Sequence, residues 1–146
     1  MNGVNRGIFR LLPVFLLLFL GVSSCSQKEE RRILVIHSYE ETYAAYPEFN
    51  RMIAGQFEKE KIDADIRTVY LDCESYWEEP ELERMRFLVD SVSRDWRPEV
   101  ILVNEDQATY SLMKCGVQLG KEVPVVFGGV NYPNWGLLKR HPNVTG

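Results

Sequence analysis

Four short stretches hold most of the residues in this chain that could do chemistry. They are HSYEETY (residues 37–43), LDCESYW (71–77), NEDQATY (104–110) and GGVNYPNW (128–135). Each mixes hydroxyl, amide, carboxylate and aromatic groups, the inventory that fixes the polar ends of a small solute and covers its apolar part. His37 could serve as a general base or a ligand contact, or simply pack as a structural histidine. Ser38 could donate to an anionic group or form a turn, and Asp72 could hold a hydroxyl or cap a loop. Asn104, Glu105 and Asp106 either touch a ligand or orient their own loop, with Asp106 a plausible helix N-cap. Tyr39, Tyr43, Tyr46 and Trp135 could stack on a flat ligand or on one another. Gly128 and Gly129, just before Val130 and Asn131, allow close backbone approach or a positive φ.

Catalytic signatures are sparse. There is no G-x-S-x-G, no P-loop and no G-x-G-x-x-G after the first strand-like run. The two histidines, His37 and His141, lie far apart, and no H-x-x-x-H or C-x-x-C spacing offers a metal site. A Cys73 thiol with His37 as its base, or an enzyme using His37 and Asp72, is the catalytic alternative. The leading expectation is binding without catalysis, metal or cofactor.

Those stretches must be positioned by regular elements, and the hydrophobic periodicity supplies them. An unbroken apolar run at 33–36 reads as a strand buried on both faces, and 100–103 repeats that signature. Residues 64–72 alternate as another strand, and VPVVF (123–127) is a fourth. Between them, Phe49, Met52, Ile53 and Phe57 form one face of a helix opened by Pro47. A second helix begins near Pro80, with Leu82, Met85, Leu88, Val89 and Val92 on one side. A third runs from Asp106 to about Met113, and Asn134 is placed to cap a short turn, WGLLKR. Strands alternating with helices predict a parallel sheet in a Rossmann-like, three-layer α/β lobe, strand order 2-1-3-4. All four chemistry-bearing stretches then fall at the carboxyl ends of the strands, where open α/β sheets bind ligands. Cys73 falls on this rim and Cys115 on the opposite one. A disulfide needs Cα atoms within about 7 Å, so both are expected as free thiols.

The N-terminus carries a different message. Arg6 and Arg10 precede a 12-residue apolar or small run (11–22) and then SSC, the layout of a signal peptide too short for a comfortable span of about 20 residues. VSSC resembles a bacterial lipobox with Cys25 as the lipidation site. The expected division is a signal peptide (1–24), a charged tether (25–32) and one folded lobe (33–146). Cleavage before Cys25 leaves 15 basic against 21 acidic residues, a net charge of −6. That balance argues against a nucleic-acid partner.

The run ILVIHSY at the first strand, ILVNEDQAT at the third, VPVVFGGVNYP at the fourth and the terminal NVTG together resemble the first lobe of a type I periplasmic binding protein. The likeness is closest to the substrate-binding lipoproteins of ABC transporters, some of which bind aromatic amino acids. HSYEETY and NEDQATY also resemble the sensing domains of some membrane-bound histidine kinases. The resemblance spans about residues 32–146. It implies an extracytoplasmic, lipid-anchored module that binds a small, amino acid-like or aromatic solute and signals to a permease or a kinase. It also implies a second lobe of similar size, which this sequence does not contain. The ligand is expected against His37, Ser38, Tyr39, Tyr43, Asp72, Asn104, Glu105, Asp106, Gly128, Gly129, Val130 and Asn131.

Overall fold

The computed structural model describes residues 30–146, so the expected signal segment, Cys25 and most of the expected tether lie outside the described residues. Five strands, β1 (Arg31–His37), β2 (Ala64–Tyr70), β3 (Val100–Asn104), β4 (Val125–Gly128) and β5 (Val144–Thr145), form one all-parallel sheet in the order β2-β1-β3-β4-β5. Three main helices connect them: α1 (Tyr46–Lys59), α2 (Glu79–Ser93) and α3 (Asp106–Lys114). Two short ones follow, α4 (Leu119–Glu122) and α5 (Trp135–Leu138). The architecture is α/β, a Rossmann-like three-layer fold with the expected 2-1-3-4 order and one strand more.

β1 takes an interior place between β2 and β3 because its sequence can be buried from both sides, and residues 33–37 are all buried. Its even-numbered residues Leu34 and Ile36 join Ile101, Val103 and Val125 under α2 and α3. There they meet Met85, Val89, Ala108 and Leu112 in the main core. The other face is covered differently. α1 lays Phe49, Ile53 and Phe57 there as half-buried residues, while Met52, expected on the same apolar face, is 63% exposed. α1 does not reach across the whole sheet. β3, expected to be buried on both faces, therefore alternates between buried and half-buried residues. A groove of about 160 Å³ stays open among Val35, Phe49, Ile53, Leu102 and Val126.

The strand β5 was hidden in NVTG, because two residues carry no periodicity. It pairs Val125 with Val144, while the Asn143 amide donates to the carbonyls of Gly120 and Val123. α5 forms as the sequence suggests, with the Leu137 N–H donating to Asn134 Oδ1 at 3.0 Å. Cys73 and Cys115 are both free thiols. No described helix is long and apolar enough to cross a membrane.

The parallel register sets the geometry of the rim. His37 stands level with Tyr70 on one side and Asn104 on the other, and Asn104 stands level with Gly128. Four strand ends thus finish on one line, and the loops that leave them share one edge of the sheet.

Candidate functional site: the rim at the strand ends

Over β1 and β3 the rim is a closed hydrogen-bonded assembly. The His37 ring is fully buried, stacked 3.9 Å from Tyr46 and 5.5 Å from Tyr70, with Phe49 edge-on. Its Nε2 donates to Asn50 Oδ1 at 2.8 Å, and Nδ1 faces the Asn104 amide nitrogen at 3.4 Å. Both nitrogens suit the neutral ring. Burial lowers its pKa below the ordinary histidine value, and the Asn50 hydrogen bond only partly offsets that. Ser38, also fully buried, donates to the Asn104 carbonyl and accepts from the Ala108 N–H, both at 2.9 Å. It caps the third residue of α3 from the position just past β1, work usually done by the residue at the helix's own start. His37 and Ser38 thus bond inside the protein, behind the rim surface.

The β3–α3 junction shows why Asp106 is not the cap. The helix begins at Asp106, with Glu105 ahead of it at φ 74°, its N–H donating to Gly128 O at 2.7 Å. Asp106 is free to reach sideways, and its carboxylate accepts from the N–H groups of Asn131 and Tyr132 and from the Asn131 amide. Tyr110 adds two more ties: its hydroxyl donates to the Tyr132 carbonyl at 2.6 Å and accepts from the Asn134 N–H at 2.9 Å. The GGVNYPN loop, half-buried Val130 included, is therefore strapped along α3. Gly129 is needed here: its φ is +69°, and an added Cβ would lie 3.1 Å from Asn104 Oδ1. Tyr46 completes the assembly, accepting from the Tyr39 N–H and donating to Glu105 Oε2 at 2.8 Å. Burial raises the pKa of both Tyr46 and Glu105. Tyr39 and Tyr43 stack 4.7 Å apart above it, and Tyr43 is partly exposed.

Beside this assembly, over the β2–α2 connection, the rim opens. A cleft of about 490 Å³ is walled by Tyr39, Tyr76 and Trp77, with Glu74, Glu78 and Glu81 among them. A second depression of about 350 Å³ adjoins it between α2 and α3, sharing Glu78, Glu81 and Gln107 and ending at Lys114. The backbone here is unusual. Asp72 and Glu78 have φ values of 56° and 51°, so with Glu105 three of the four positive-φ residues other than glycine among the described residues lie on this rim. Such conformations cost about 1–3 kcal/mol each and cluster at functional sites. Size alone does not single out the cleft, because a depression of about 420 Å³ lies at the opposite rim beside Phe57, Lys61 and Ile62. The aromatic and carboxylate walls do.

Of the residues expected at the site, Tyr39 borders the open cleft and Asp106 the adjoining depression. Asn104 and Gly128 line the apolar groove on the α1 face. Tyr76, Trp77, Glu74, Glu78, Glu81 and Gln107 were missed. Four of them follow Cys73 directly in the chain, and the signal available was a tyrosine and tryptophan set between carboxylates. Cys73 opens into the cleft, but burial and the charges of Glu81, Glu74 and Glu105 push its pKa up to about 11. His37, with both nitrogens already occupied, is not placed as its base. Among the described residues no three histidine, cysteine or acidic side chains come together to hold a metal ion.

The chain matches no family model, no curated protein and no solved structure. Its function has to be argued from the rim itself.

Proposed function

We propose that this chain is an extracytoplasmic small-solute binding module, lipid-anchored through Cys25, of the kind that serves as the substrate-binding lipoprotein of an ABC transporter. The observation that carries the reading is the cleft of about 490 Å³ beyond the carboxyl ends of a parallel sheet, walled by Tyr39, Tyr76 and Trp77. Open α/β sheets bind their ligands at that edge, and small-molecule sites combine apolar walls with a few convergent polar groups. The strapped half of the rim gives the cleft one fixed wall, since Tyr39 is held by Tyr46 and Tyr46 by Glu105. The ligand-sensing domain of a histidine kinase would use the same cleft and differ only in whether a permease or a kinase receives the signal.

The test is a thermal-shift screen of the full chain against amino acids, nucleosides, sugars and amines. A reproducible rise in Tm with one chemical class, lost in Trp77→Ala, is the expected result. A flat response across the library overturns the binding reading. Anchoring is tested separately: Cys25→Ala is expected to move the protein from the membrane to the soluble fraction of an expressing bacterium, and unchanged membrane association would refute lipidation there.

A further inference from the structure

The walls of the cleft also speak to the charge of what enters it. The β2–α2 connection and the first turn of α2, residues 72–83, hold six carboxylates and no basic residue. Part of this has an ordinary explanation. Glu79 and Glu81 lie in the first turn of α2, where acidic side chains favour the positive end of the helix dipole. Glu81 also accepts from the Ser111 hydroxyl. Glu74 and Glu78 have no such explanation. They precede the helix, are exposed, and their carboxylates make no ion pair or hydrogen bond within the described residues.

The nearest cations do not neutralise them. The Arg84 guanidinium donates to the carbonyls of Leu71 and Tyr70 and lies 4.7 Å from the centre of the Tyr76 ring. Lys114 sits at the far end of the adjoining depression, 5.9 Å from the Tyr110 ring. Neither borders the cleft of Tyr39, Tyr76 and Trp77. The charged side chains bordering the cleft are therefore all carboxylates, and Glu81 and Glu74 add to the burial that raises the Cys73 thiol. Trp77, 76% exposed, presents an indole beside two unpaired carboxylates. Aromatic faces attract cations, tryptophan most strongly, and carboxylates at a cleft mouth concentrate cations and repel anions.

Resting on the solute-binding reading above, we infer that the cleft takes a positively charged organic solute, an amine or quaternary ammonium compound. Trp77 and Tyr39 cover its alkyl or ring portion, and Glu74 and Glu78 face its charge. An inorganic ion fits less well, because the carboxylates do not converge to a metal-ligand set. Tyr39, Tyr76 and Trp77 give the cleft an aromatic share that suits a carbon-bearing cation.

The experiment is calorimetric titration of the full chain with choline and putrescine. Succinate and glucose serve as the anionic and neutral probes, all at one ionic strength. At least one of the two cations is expected to bind, at least ten-fold more weakly in the Glu74→Gln/Glu78→Gln double variant and in Trp77→Ala. Affinity should also fall as salt is raised. Binding of succinate or glucose with neither cation bound would overturn the charge assignment and leave the solute-binding reading standing. Cation binding that neither variant weakens would remove it from this cleft. Silence from these probes and from the broad screen would sink both. Circular dichroism and Tm of the variants report whether they fold, and the exposed positions chosen make that the expected result.

Discussion

Two neighbouring parts of one rim treat their polar groups in opposite ways. Over β1 and β3, His37, Ser38, Asn104, Glu105 and Asp106 are bonded to other parts of the protein. Over the β2–α2 connection, the carboxylates of Glu74 and Glu78 and the indole of Trp77 have no polar partner among the described residues. Both parts look equally polar and equally aromatic in composition. Hydrogen-bond accounting separates them: a buried polar group must be satisfied internally, whereas an exposed one can wait for something from solution. The first part holds the shape of the rim, and the second is available to bind.

Substitutions that attack this division should therefore hurt stability on one side and only binding on the other. The largest effect is expected from His37→Ala. It removes a fully buried ring, its two stacking contacts and the partner of Asn50, and should cost about 3–4 kcal/mol in urea unfolding. A loss under about 1 kcal/mol would mean the ring is not holding the rim together. Ser38→Ala comes next. The Ala108 N–H loses the acceptor that follows β1, and a loss of about 1–2 kcal/mol is expected, as for other helix caps. Its companion, Gly129→Ala, should cost about 1 kcal/mol for the left-handed backbone, with the crowding against Asn104 Oδ1 adding to it. Measured together, the three rank how strongly each contact ties the rim to the core.

The pH dependence of stability sharpens the same point with a smaller effect. His37 is held below its ordinary pKa in the fold, so between that lowered value and about 6.5 the unfolded chain binds the extra proton. Stability is then fully present above pH 6.5 and declines as pH falls through that window. Glu105 acts the other way. Its raised pKa lets the folded state take up a proton above about 4.5, so acidification in that lower range favours the fold. Urea midpoints measured from pH 7.5 to 5.5 should fall for the parent chain and flatten in His37→Gln. An unchanged slope would place the titrating group elsewhere.

The sheet was legible because its strands announce themselves: residues 33–36 and 100–103 are continuous apolar runs, the pattern of interior strands in a parallel sheet, although only β1 is buried on both faces. The rim as a place was legible for the same reason, since topology alone sends four polar stretches to one edge. Roles within the rim were not. Nothing in the local sequence says that Ser38 will meet the start of a helix 70 positions later, or that Asp106 will hold Asn131 and Tyr132 instead of capping its own helix. Those contacts depend on the register of β1 against β3 and of β3 against β4. The open cleft was missed for a different cause: Glu78 and Glu81 sit where helix starts favour acidic residues, and Trp77 follows a short polar run with no periodicity.

The smallest stability change is expected on the open side. Trp77→Ala removes an indole that is 76% exposed, and the Glu74→Gln/Glu78→Gln pair removes two carboxylates with no partner among the described residues. Surface changes of this kind usually stay within about 0.5 kcal/mol. Relief of like-charge repulsion along residues 72–83 should make the double variant, if anything, slightly more stable. The two sides of the rim are thus distinguished by sign as well as size. Stability unchanged with binding lost would mark these residues as facing a ligand. A loss of about 2 kcal/mol in either variant would instead make them structural, and the contrast between the two parts of the rim would disappear.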